Sequence, residues 1–373
     1  MSFNQYTWDL YKQTTIGIEM IKYFSDAGGY VSFKDYCPYA NFIPEDLYND
    51  WLENIYCYGV SDYDHPSSLE EAKDLYISLI TLGIRVEGQQ WLPANDFKNM
   101  LGIIQPMSYV LSQFAPEYFF PYLFLCRIFE LNKIADFFNI DLPNIPKRTD
   151  YKGRCMYYWE LCEVFYLFRK ENGLSPADLW SFLYDFAPNN LPSEKIDMPK
   201  PSQVWFIGGR LYQEDKSLES KFWQSSPETK KGDILVHYET SPISAITCIE
   251  ISLTDGVIDP LFRYYGCIYI GNRINIPHIT LKELQTDEYF FKHPLVRKNF
   301  QGVNGWSVNS ENYSELLRMI KTKGFDIEVL PKLYAPTLPK DVIIEYEHDV
   351  EQQLLEPLLN SMGWYENKDF IRQ

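Results

Sequence analysis

The sequence lacks the motifs that mark common catalytic and cofactor sites. Its 373 residues contain no P-loop, no dinucleotide-binding fingerprint and no G-x-S-x-G nucleophile elbow. The five histidines are scattered, and none stands at the spacing from a cysteine or another histidine that is typical of zinc ligands. The sequence therefore offers no complete enzyme active site and predicts no cofactor within this chain.

Paired cysteines and long apolar runs are missing as well. The seven cysteines are odd in number and form no CxxC pair, which predicts reduced intracellular thiols rather than a disulfide framework. The most apolar stretch, residues 118–129, is interrupted by Pro121 and Arg127 and is shorter than the roughly 20 residues of a membrane-spanning helix. The N-terminus has no basic start followed by an apolar run, unlike a signal peptide. We therefore expect a cytoplasmic protein with no membrane partner.

Negative charge dominates the chain but is unevenly distributed. The net charge is −17, which argues against a general nucleic-acid binder. Residues 1–201 carry 16 Lys and Arg against 27 Asp and Glu, whereas residues 202–322 carry 13 against 14. The middle segment is therefore the part of the chain least repelled by phosphates, and we expect any contact with DNA there.

Hydrophobic periodicity divides the chain into parts. In residues 1–195 apolar residues recur at helical spacing, with helix-start signals at Ser68 and Ser175. The proline-rich stretch 187–202 is the best linker. From residue 203 onward short apolar or alternating runs predict several strands and one or two helices, as in a small β-barrel.

Residues 203–322 resemble EVE domains, which belong to the PUA-like group. The similarity consists of an ordered set of sequence features: a first strand with Trp205, then FWQSSPETKKGD, then the strand ILVHY, then IYIGNRINIPHITLKEL, and finally LVRKNFQGVNGWSVNSENYSELLRMI. The sequence thus predicts an α+β protein with a helical N-terminal domain (1–195), a PUA-like (EVE) β-barrel (203–322) and a short C-terminal helical segment (341–373).

The resemblance implies a cavity at the barrel mouth that accepts a flipped base, often a modified cytosine. Such a base needs aromatic faces for stacking and a few polar groups at its edge. The candidate nucleobase-binding residues are Trp223, Tyr238, Trp205, Tyr264, Tyr265, Gln301 and Asn304. The candidate phosphate-binding residues are Lys230, Lys231, Arg273, Arg297 and Lys298. Because His237 precedes Tyr238 on a strand, we expect it either to lie outside the pocket or to replace Tyr238 within it.

The C-terminal segment HDVEQQLLEPLLNSMGWYENKDFIRQ resembles the start of the nuclease region of type I restriction motor subunits. Pro357 is expected to kink or shorten the helix in this segment. The resemblance implies that a nuclease or helicase subunit is a partner, or that a nuclease region follows. Mg²⁺ is expected only in the latter case, because that nuclease class holds it with an acidic residue and an (Asp/Glu)-x-Lys triplet on strands, whereas the triplets Glu71-Ala72-Lys73 and Glu214-Asp215-Lys216 are expected in a helix and a loop.

The sequence leaves three functions open. The first is the DNA-recognition part of a restriction or phage-defence protein, with modified cytosine as the favoured target. The second is the specificity fragment of a Mg²⁺-dependent restriction endonuclease. The third is a modified-RNA reader, since PUA-like barrels also bind modified RNA.

Overall fold

The computed structural model describes residues 3–25, 59–86, 89–125, 127–192, 198–210, 220–334, 344–362, 364–367 and 369–371. The chain divides into two compact units. Unit 1 consists of Met1–Glu194 together with Ile258–Tyr265, and unit 2 consists of Lys195–Val257 together with Gly266–Gln373. The chain therefore passes from unit 2 back into unit 1 for eight residues before it completes the sheet.

Unit 1 is mainly helical. Its helices are α1 (Gln5–Tyr11), α2 (Thr15–Ser25), α3 (Leu69–Leu82), α4 (Phe97–Met100), α5 (Ile104–Phe114), α6 (Ile128–Phe138), α7 (Tyr151–Glu171), α8 (Pro176–Ser181) and α9 (Ala187–Asn190). A short antiparallel hairpin of β1 (Ile84–Val86) and β2 (Gln89–Leu92) follows α3. The sequence did not predict this hairpin, because three- and four-residue strands are too short to establish an alternating pattern.

Helix starts in unit 1 lie where side chains satisfy unpaired backbone N–H groups. The Ser68 hydroxyl accepts a hydrogen bond from the backbone N–H of Glu71 at 3.2 Å. Ser175 and Asp178 form a reciprocal capping box, and Pro176 occupies the first helical turn. These caps are the physical basis of the start signals that the sequence shows.

The core of unit 1 contains tyrosines whose hydroxyl groups are paired with the backbone. The Tyr76 hydroxyl donates to the Cys155 carbonyl at 2.6 Å, and the Tyr158 hydroxyl donates to the Phe120 carbonyl at 2.7 Å. Burial raises the pKa of both hydroxyls well above its ordinary value, so that they remain neutral donors. Aromatic side chains can thus fill this core without leaving these polar atoms unsatisfied.

The segment Ile258–Tyr265 is held in unit 1 by one buried arginine. Arg154 is 1% exposed. Its Nε donates to the Pro260 carbonyl at 2.8 Å, and its Nη2 donates to the Phe262 carbonyl at 2.7 Å. The guanidinium carbon also lies 5.2 Å from the centre of the Tyr265 ring. One side chain therefore pairs with two carbonyl groups of this irregular segment, of which the Phe262 carbonyl also accepts from the Tyr265 N–H at 2.8 Å.

Unit 2 is built on a curled mixed sheet that forms a half-barrel. Its strands are β3 (Val204–Gly209), β4 (Ser220–Gln224), β5 (Ile234–Glu239), β6 (Ala245–Ser252), β7 (Val257–Ile258), β8 (Gly266–Thr280) and β9 (Trp306–Val308). The order is β4-β8-β6-β5-β3-β9, with β7 paired to β8. The sheet is mixed because β3 and β5 run parallel while the other pairs of that path are antiparallel.

Helical segments follow the long strand β8. They are α10 (Leu281–Thr286), a 3₁₀ turn (Phe290–Lys292), α11 (Pro294–Arg297), α12 (Ser310–Thr322), a 3₁₀ turn (Ile327–Val329), α13 (Glu347–Val350) and α14 (Glu356–Ser361). The side chains of α12 that pack on the sheet include Tyr313, Leu316 and Ile320. The helical spacing of these residues predicted this helix from the sequence.

Alternation along the strands gives the sheet two different faces. One face, with Phe206 and Val236, belongs to the large core beneath α12. The opposite face carries a smaller apolar cluster of Trp205, Ile207, Leu235, Ile268 and Ile270, against which Trp223 packs. Because side chains alternate along a strand, residues that follow one another in β3 and β5 contribute to different environments.

Prolines inside two helical runs are accommodated by wider turns. A π-helical segment, Phe182–Phe186, joins α8 to α9 and precedes Pro188. A second one, Glu351–Leu355, joins α13 to α14 and precedes Pro357. A π turn moves the carbonyl with which a proline ring would collide and needs no N–H from the proline. The helical structure continues past Pro357 to Ser361, so the expectation that the proline shortens this helix is wrong, while a kink at this point stays a prediction.

The observed class is α+β, as the sequence predicts. Among the residues that the structure describes, no helix is long and apolar enough to cross a membrane. The four described cysteines, Cys155, Cys162, Cys248 and Cys267, are buried, and no disulfide joins any two of them. The other three, Cys37, Cys57 and Cys126, lie outside the described residues.

Candidate functional site

A buried polar cluster lies on the face of the sheet that also carries Trp223. His237 on β5 and Cys248 on β6 are register partners, and Glu250 lies two residues further along β6 on the same face. The exposed fractions of these residues are 0%, 0% and 2%. One ligand atom from each of the three lies within 4.8 Å of the others. Three groups able to bind a metal or a polar ligand are therefore brought together by strand register.

The Glu250 carboxylate connects this cluster to Arg273 on β8. Its Oε2 lies 3.0 Å from Nδ1 of His237, and its Oε1 accepts from Nε and Nη2 of Arg273, both at 2.8 Å. Burial raises the pKa of Glu250, but the hydrogen bonds and charges of His237 and Arg273 outweigh burial and leave the pKa below its ordinary value. Glu250 is therefore ionised and accepts the Nδ1 hydrogen of His237.

The second ring nitrogen of His237 is left without a protein partner. Nε2 is buried and makes no hydrogen bond to any residue that the structure describes. When Nδ1 carries the hydrogen, Nε2 of a neutral imidazole is an acceptor. The arrangement thus leaves one buried ring nitrogen of His237 without a protein partner on the face of the sheet that carries Trp223.

Cys248 adds a thiol to the same cluster. Burial raises the pKa of this thiol to about 12. The free protein therefore holds Cys248 in its neutral form, and only a strong positive partner would convert it to a thiolate.

Trp223 on β4 covers the His237 side of the cluster. The two rings are 4.8 Å apart between centroids and inclined by 62°. The indole is only partly buried. Its six-membered ring lies so close to the backbone of Gly209 that a Cβ there would approach Cζ2 to 2.5 Å. A glycine at the end of β3 is therefore required for this position of the indole.

Asn304 fixes the position of Trp223 from a neighbouring loop. Its Oδ1 accepts from the Gly208 backbone N–H at 2.8 Å and from Nε1 of Trp223 at 3.3 Å. Its Nδ2 donates to Oε1 of Gln224 at 3.3 Å. The structure thus brings together two of the residues that the sequence predicted to bind a base, Trp223 and Asn304.

Trp205 has a different environment from Trp223. It is 3% exposed, and its Nε1 donates to Oδ2 of Asp233 at 2.9 Å. Burial raises the pKa of Asp233 to about 6, although Lys230 N, Trp205 and Gln203 N donate hydrogen bonds to it. Trp205 therefore acts as a structural partner of the turn before β5, and it is not available for stacking.

Tyr238 lies on the face of the sheet opposite to His237. Its ring stacks on Phe300 at 4.0 Å between centroids and an angle of 3°, within the large core of unit 2. His237, and not Tyr238, is therefore the β5 residue beside Trp223. Of the two alternatives that the sequence left open for His237, its position beside Trp223 agrees with the one in which it replaces Tyr238, and the pocket itself stays a prediction.

The remaining candidates for base binding are separate from this cluster. Tyr264 and Tyr265 belong to the segment of unit 1, where Tyr264 is 48% exposed and the Tyr265 hydroxyl donates to the Pro146 carbonyl at 2.5 Å. Gln301 is exposed in the same loop as Asn304. The structure thus distinguishes the two loop amides, since only Asn304 contacts Trp223.

The candidate phosphate-binding residues differ in their availability. Lys230 forms an ion pair with Asp369 and lies 4.7 Å from the ring of Trp364. Arg273 pairs with Glu250, as described above. Lys231 is half-buried and donates its backbone N–H to Asp255 at 2.9 Å.

Two of the five remain accessible. Arg297 and Lys298 are exposed at the end of α11, directly before the loop that contains Asn304. They are therefore the cations of the predicted set that lie nearest in sequence to Asn304.

Sequence reasoning missed Cys248 and Glu250. Zinc ligands are recognised in a sequence by short spacings between cysteines and histidines, but His237 and Cys248 are neighbours only across two antiparallel strands. The sequence did contain one signal: His237 and Glu250 are polar residues within strands that are otherwise largely apolar. Without the register of β5 against β6 this signal does not identify which residues meet.

Comparison with known proteins does not assign a family. No family model matches the sequence, and no characterised protein matches it. Among solved structures, the NMR structure of Rpa0253 from Rhodopseudomonas palustris is similar to part of the chain, with a TM-score of 0.28 and 13% sequence identity. The similarity covers 32% of this chain and 94% of Rpa0253, and it does not indicate a function.

Proposed function

We propose that the half-barrel of unit 2 binds a single nucleobase flipped out of DNA. We further propose that the chain is the DNA-recognition part of a restriction or phage-defence protein. The observation that carries this proposal is the position of Trp223, which is partly exposed, held by Asn304 and placed beside His237.

This arrangement supplies the two kinds of contact that an unstacked base needs. An indole offers a flat face, and stacking of a base on an aromatic side chain is worth about 1–3 kcal/mol. An amide and an imidazole offer donors and acceptors for the edge of the base. The hydrogen bond from the Gly208 backbone N–H to Oδ1 of Asn304 restrains this amide in the free protein, which reduces the entropy lost on binding.

The order of EVE-like sequence features supports the same proposal. Trp223 belongs to the feature FWQSSPETKKGD and Asn304 belongs to the loop QGVNG, and the two residues are in contact. The PUA-like arrangement implied by that resemblance places a modified cytosine among the preferred ligands. The proposal therefore names a modified cytosine in duplex DNA as the first ligand to test.

The C-terminal resemblance supports the restriction context. In the parent protein or its complex, a Mg²⁺-dependent nuclease would cut the DNA that this chain recognises. A longer reading frame with an acidic residue and an (Asp/Glu)-x-Lys triplet on strands would make the chain a specificity fragment of that endonuclease. If a separate nuclease or helicase subunit is the partner instead, this chain would still recognise the DNA and the other subunit would act on it.

The test is binding of the whole chain to matched duplexes that contain cytosine, 5-methylcytosine or 5-hydroxymethylcytosine, at two salt concentrations. We expect a preference for a modified duplex and weaker binding at the higher salt concentration. The variant Trp223→Ala should reduce binding by about 10-fold or more, since about 1–3 kcal/mol of stacking is lost.

The matched control is Phe291→Ala, which removes an exposed aromatic side chain from the same unit. Circular dichroism and melting of both variants establish that they are folded. Equal binding to all three duplexes would remove modified-base recognition from the proposal. Preference for single-stranded RNA over every duplex would replace it with the modified-RNA function.

A further inference from the structure

We propose that His237, Cys248 and Glu250 bind one zinc ion on the face of the sheet that carries Trp223. The three residues are almost completely buried, lie on adjacent strands and point one ligand atom each into the same region within 4.8 Å. The zinc site shares His237 with the proposed nucleobase site: zinc would bond to Nδ1, and Nε2 would remain beside Trp223.

The spacing of the ligand atoms suits a zinc ion after small movements. Zinc bonds of about 2.0 Å to nitrogen or oxygen and about 2.3 Å to sulfur place tetrahedral ligand atoms roughly 3.3–3.6 Å apart. Nδ1 of His237 and Oε2 of Glu250 are already 3.0 Å apart. The farthest of the three ligand atoms are at most 4.8 Å apart, so that a side-chain shift of about 1 Å completes the site.

The kinds of ligand favour zinc over Mg²⁺ or Ca²⁺. Thiolate and imidazole are borderline-soft ligands that zinc accepts, whereas Mg²⁺ and Ca²⁺ require several oxygen ligands. Only one carboxylate is present in this cluster. With three protein ligands, a water molecule takes the fourth position.

Protons and charges balance in a simple way. The Cys248 thiol loses its hydrogen to solvent and becomes a thiolate, and the zinc ion bonds to Sγ. The hydrogen of His237 moves from Nδ1 to Nε2, so that the imidazole stays neutral while Nδ1 bonds to the metal. Glu250 supplies Oε2, because Arg273 occupies only Oε1. One proton is released for each zinc ion bound.

Arg273 positions the carboxylate rather than contacting the metal. Its two bonds to Oε1 hold the plane of Glu250 with Oε2 directed at His237. Such a partner of a metal ligand typically contributes about 10–100-fold in metal affinity. The side chain of Arg273 is 26% exposed, so that solvent screens its repulsion with the cation.

The experiment is cobalt substitution of the whole chain, purified without a polyhistidine tag and treated with a chelator under reducing conditions. Co²⁺ bound to a thiolate produces a charge-transfer absorption band in the near ultraviolet, which a carboxylate or imidazole ligand alone does not. We expect one equivalent of Co²⁺ to bind with this band, and Zn²⁺ to displace it and raise the melting temperature of the chain.

The variant Cys248→Ser should lose the thiolate band, whereas Cys267→Ser should retain it. Cys267 is the matched control, because it is also a buried thiol in a strand of unit 2. Glu250→Gln should weaken Co²⁺ binding at least 10-fold and provides a second test if Cys248→Ser does not fold.

A folded wild-type chain that takes up no Co²⁺ would overturn the proposal. A band that is lost equally in the two cysteine variants, or in neither, would also overturn it. Because these measurements contain no nucleic acid, their outcome is separate from that of the duplex-binding test.

Discussion

Asn304 is the side chain on which the position of Trp223 depends most directly. Replacing it with alanine leaves the Gly208 N–H and the Trp223 Nε1 without their acceptor. We expect Asn304→Ala to lower the free energy of unfolding by about 1–2 kcal/mol, the cost of leaving partly buried donors unpaired. Binding to the preferred duplex should fall as well, because the indole is no longer held. Urea denaturation and duplex titration measure the two effects.

Gln301→Ala is the comparison for this prediction. Gln301 lies three residues earlier in the same loop and is exposed. We expect little change in either measurement for this variant. Equal losses of binding in the two variants would show that the base contacts the loop as a whole rather than through Asn304.

Asp233 gives the stability of unit 2 a specific dependence on pH. Burial raises its pKa from 3.8 to about 6 in the folded protein. A carboxyl whose folded pKa is raised holds its proton more strongly in the folded state than in the unfolded state. Between about pH 4 and pH 6 the folded state therefore binds more protons, and its stability falls as the pH rises through this window.

The variant Asp233→Asn should remove this dependence. Across the window the wild-type protein should lose up to about 3 kcal/mol relative to the variant, which corresponds to a pKa difference of about two units. The variant is expected to be less stable at every pH, because Oδ2 of Asp233 accepts from Trp205 and Lys230 N while Oδ1 accepts from Gln203 N, and an amide has only one acceptor oxygen. Urea denaturation of both proteins at several pH values tests this, and parallel profiles would contradict it.

Among the irregular segments, Ile258–Tyr265 receives two hydrogen bonds from one buried side chain of α7. Arg154 satisfies the carbonyl groups of Pro260 and Phe262. We expect Arg154→Ala to lower the free energy of unfolding of unit 1 by about 2–4 kcal/mol, since two buried charge-assisted hydrogen bonds are lost. The segment should then open locally before the whole unit unfolds.

Limited digestion with trypsin detects this opening at Arg263, which is exposed within the segment. Cleavage at Arg263 should be faster in Arg154→Ala than in the wild-type protein. The control is Lys152→Ala, which removes an exposed cation from the same helix. Unchanged cleavage in Arg154→Ala would show that other contacts hold the segment.

The sequence predicted more of the secondary structure than of the candidate site. Alternation of apolar residues predicted β5, and capping residues predicted the starts of α3 and α8, because these signals are local. The environment of His237 depends on a non-local fact, the register of β5 against β6. The sequence showed that His237 and Tyr238 face opposite ways, but not which of these faces also receives Trp223.

The contact between Trp223 and Asn304 could not be predicted from local sequence patterns either. The two residues are 81 positions apart in the chain. Their residue types indicated that each suits base binding, and the family resemblance put them in one domain. Only the packing of the loop after α11 against β3 and β4 makes them neighbours, and no local pattern encodes such a contact.

The distribution of charge over the molecule determines how it would approach DNA. The chain carries a net charge of −17, so that its general field repels phosphates. Residues 202–322 are nearly neutral, with 13 basic and 14 acidic residues. Within this segment Lys230 and Arg273 are engaged by acidic partners, while Arg297 and Lys298 are exposed. Affinity for the phosphate backbone should therefore depend on few cations, and the salt dependence should be shallow.

The double variant Arg297→Ala/Lys298→Ala should have a shallower salt dependence of DNA binding than the wild-type protein. Each phosphate contact contributes roughly −0.9 to the slope of log K against log salt concentration, so that the double variant should reduce the slope by about 2. Binding should weaken by a similar factor for cytosine and modified cytosine, because phosphate contacts carry no sequence information. Trp223→Ala should instead reduce the preference for the modified base and leave the slope unchanged.

A charge-matched control separates local contacts from the general field. Lys282→Ala/Lys321→Ala removes the same charge from exposed positions of the same unit. If both double variants reduce the slope equally, the cations act only through net charge and α11 does not contact the backbone. A reduction confined to Arg297→Ala/Lys298→Ala would place the DNA backbone at the end of α11, next to the loop that holds Trp223, as base recognition by this half-barrel requires.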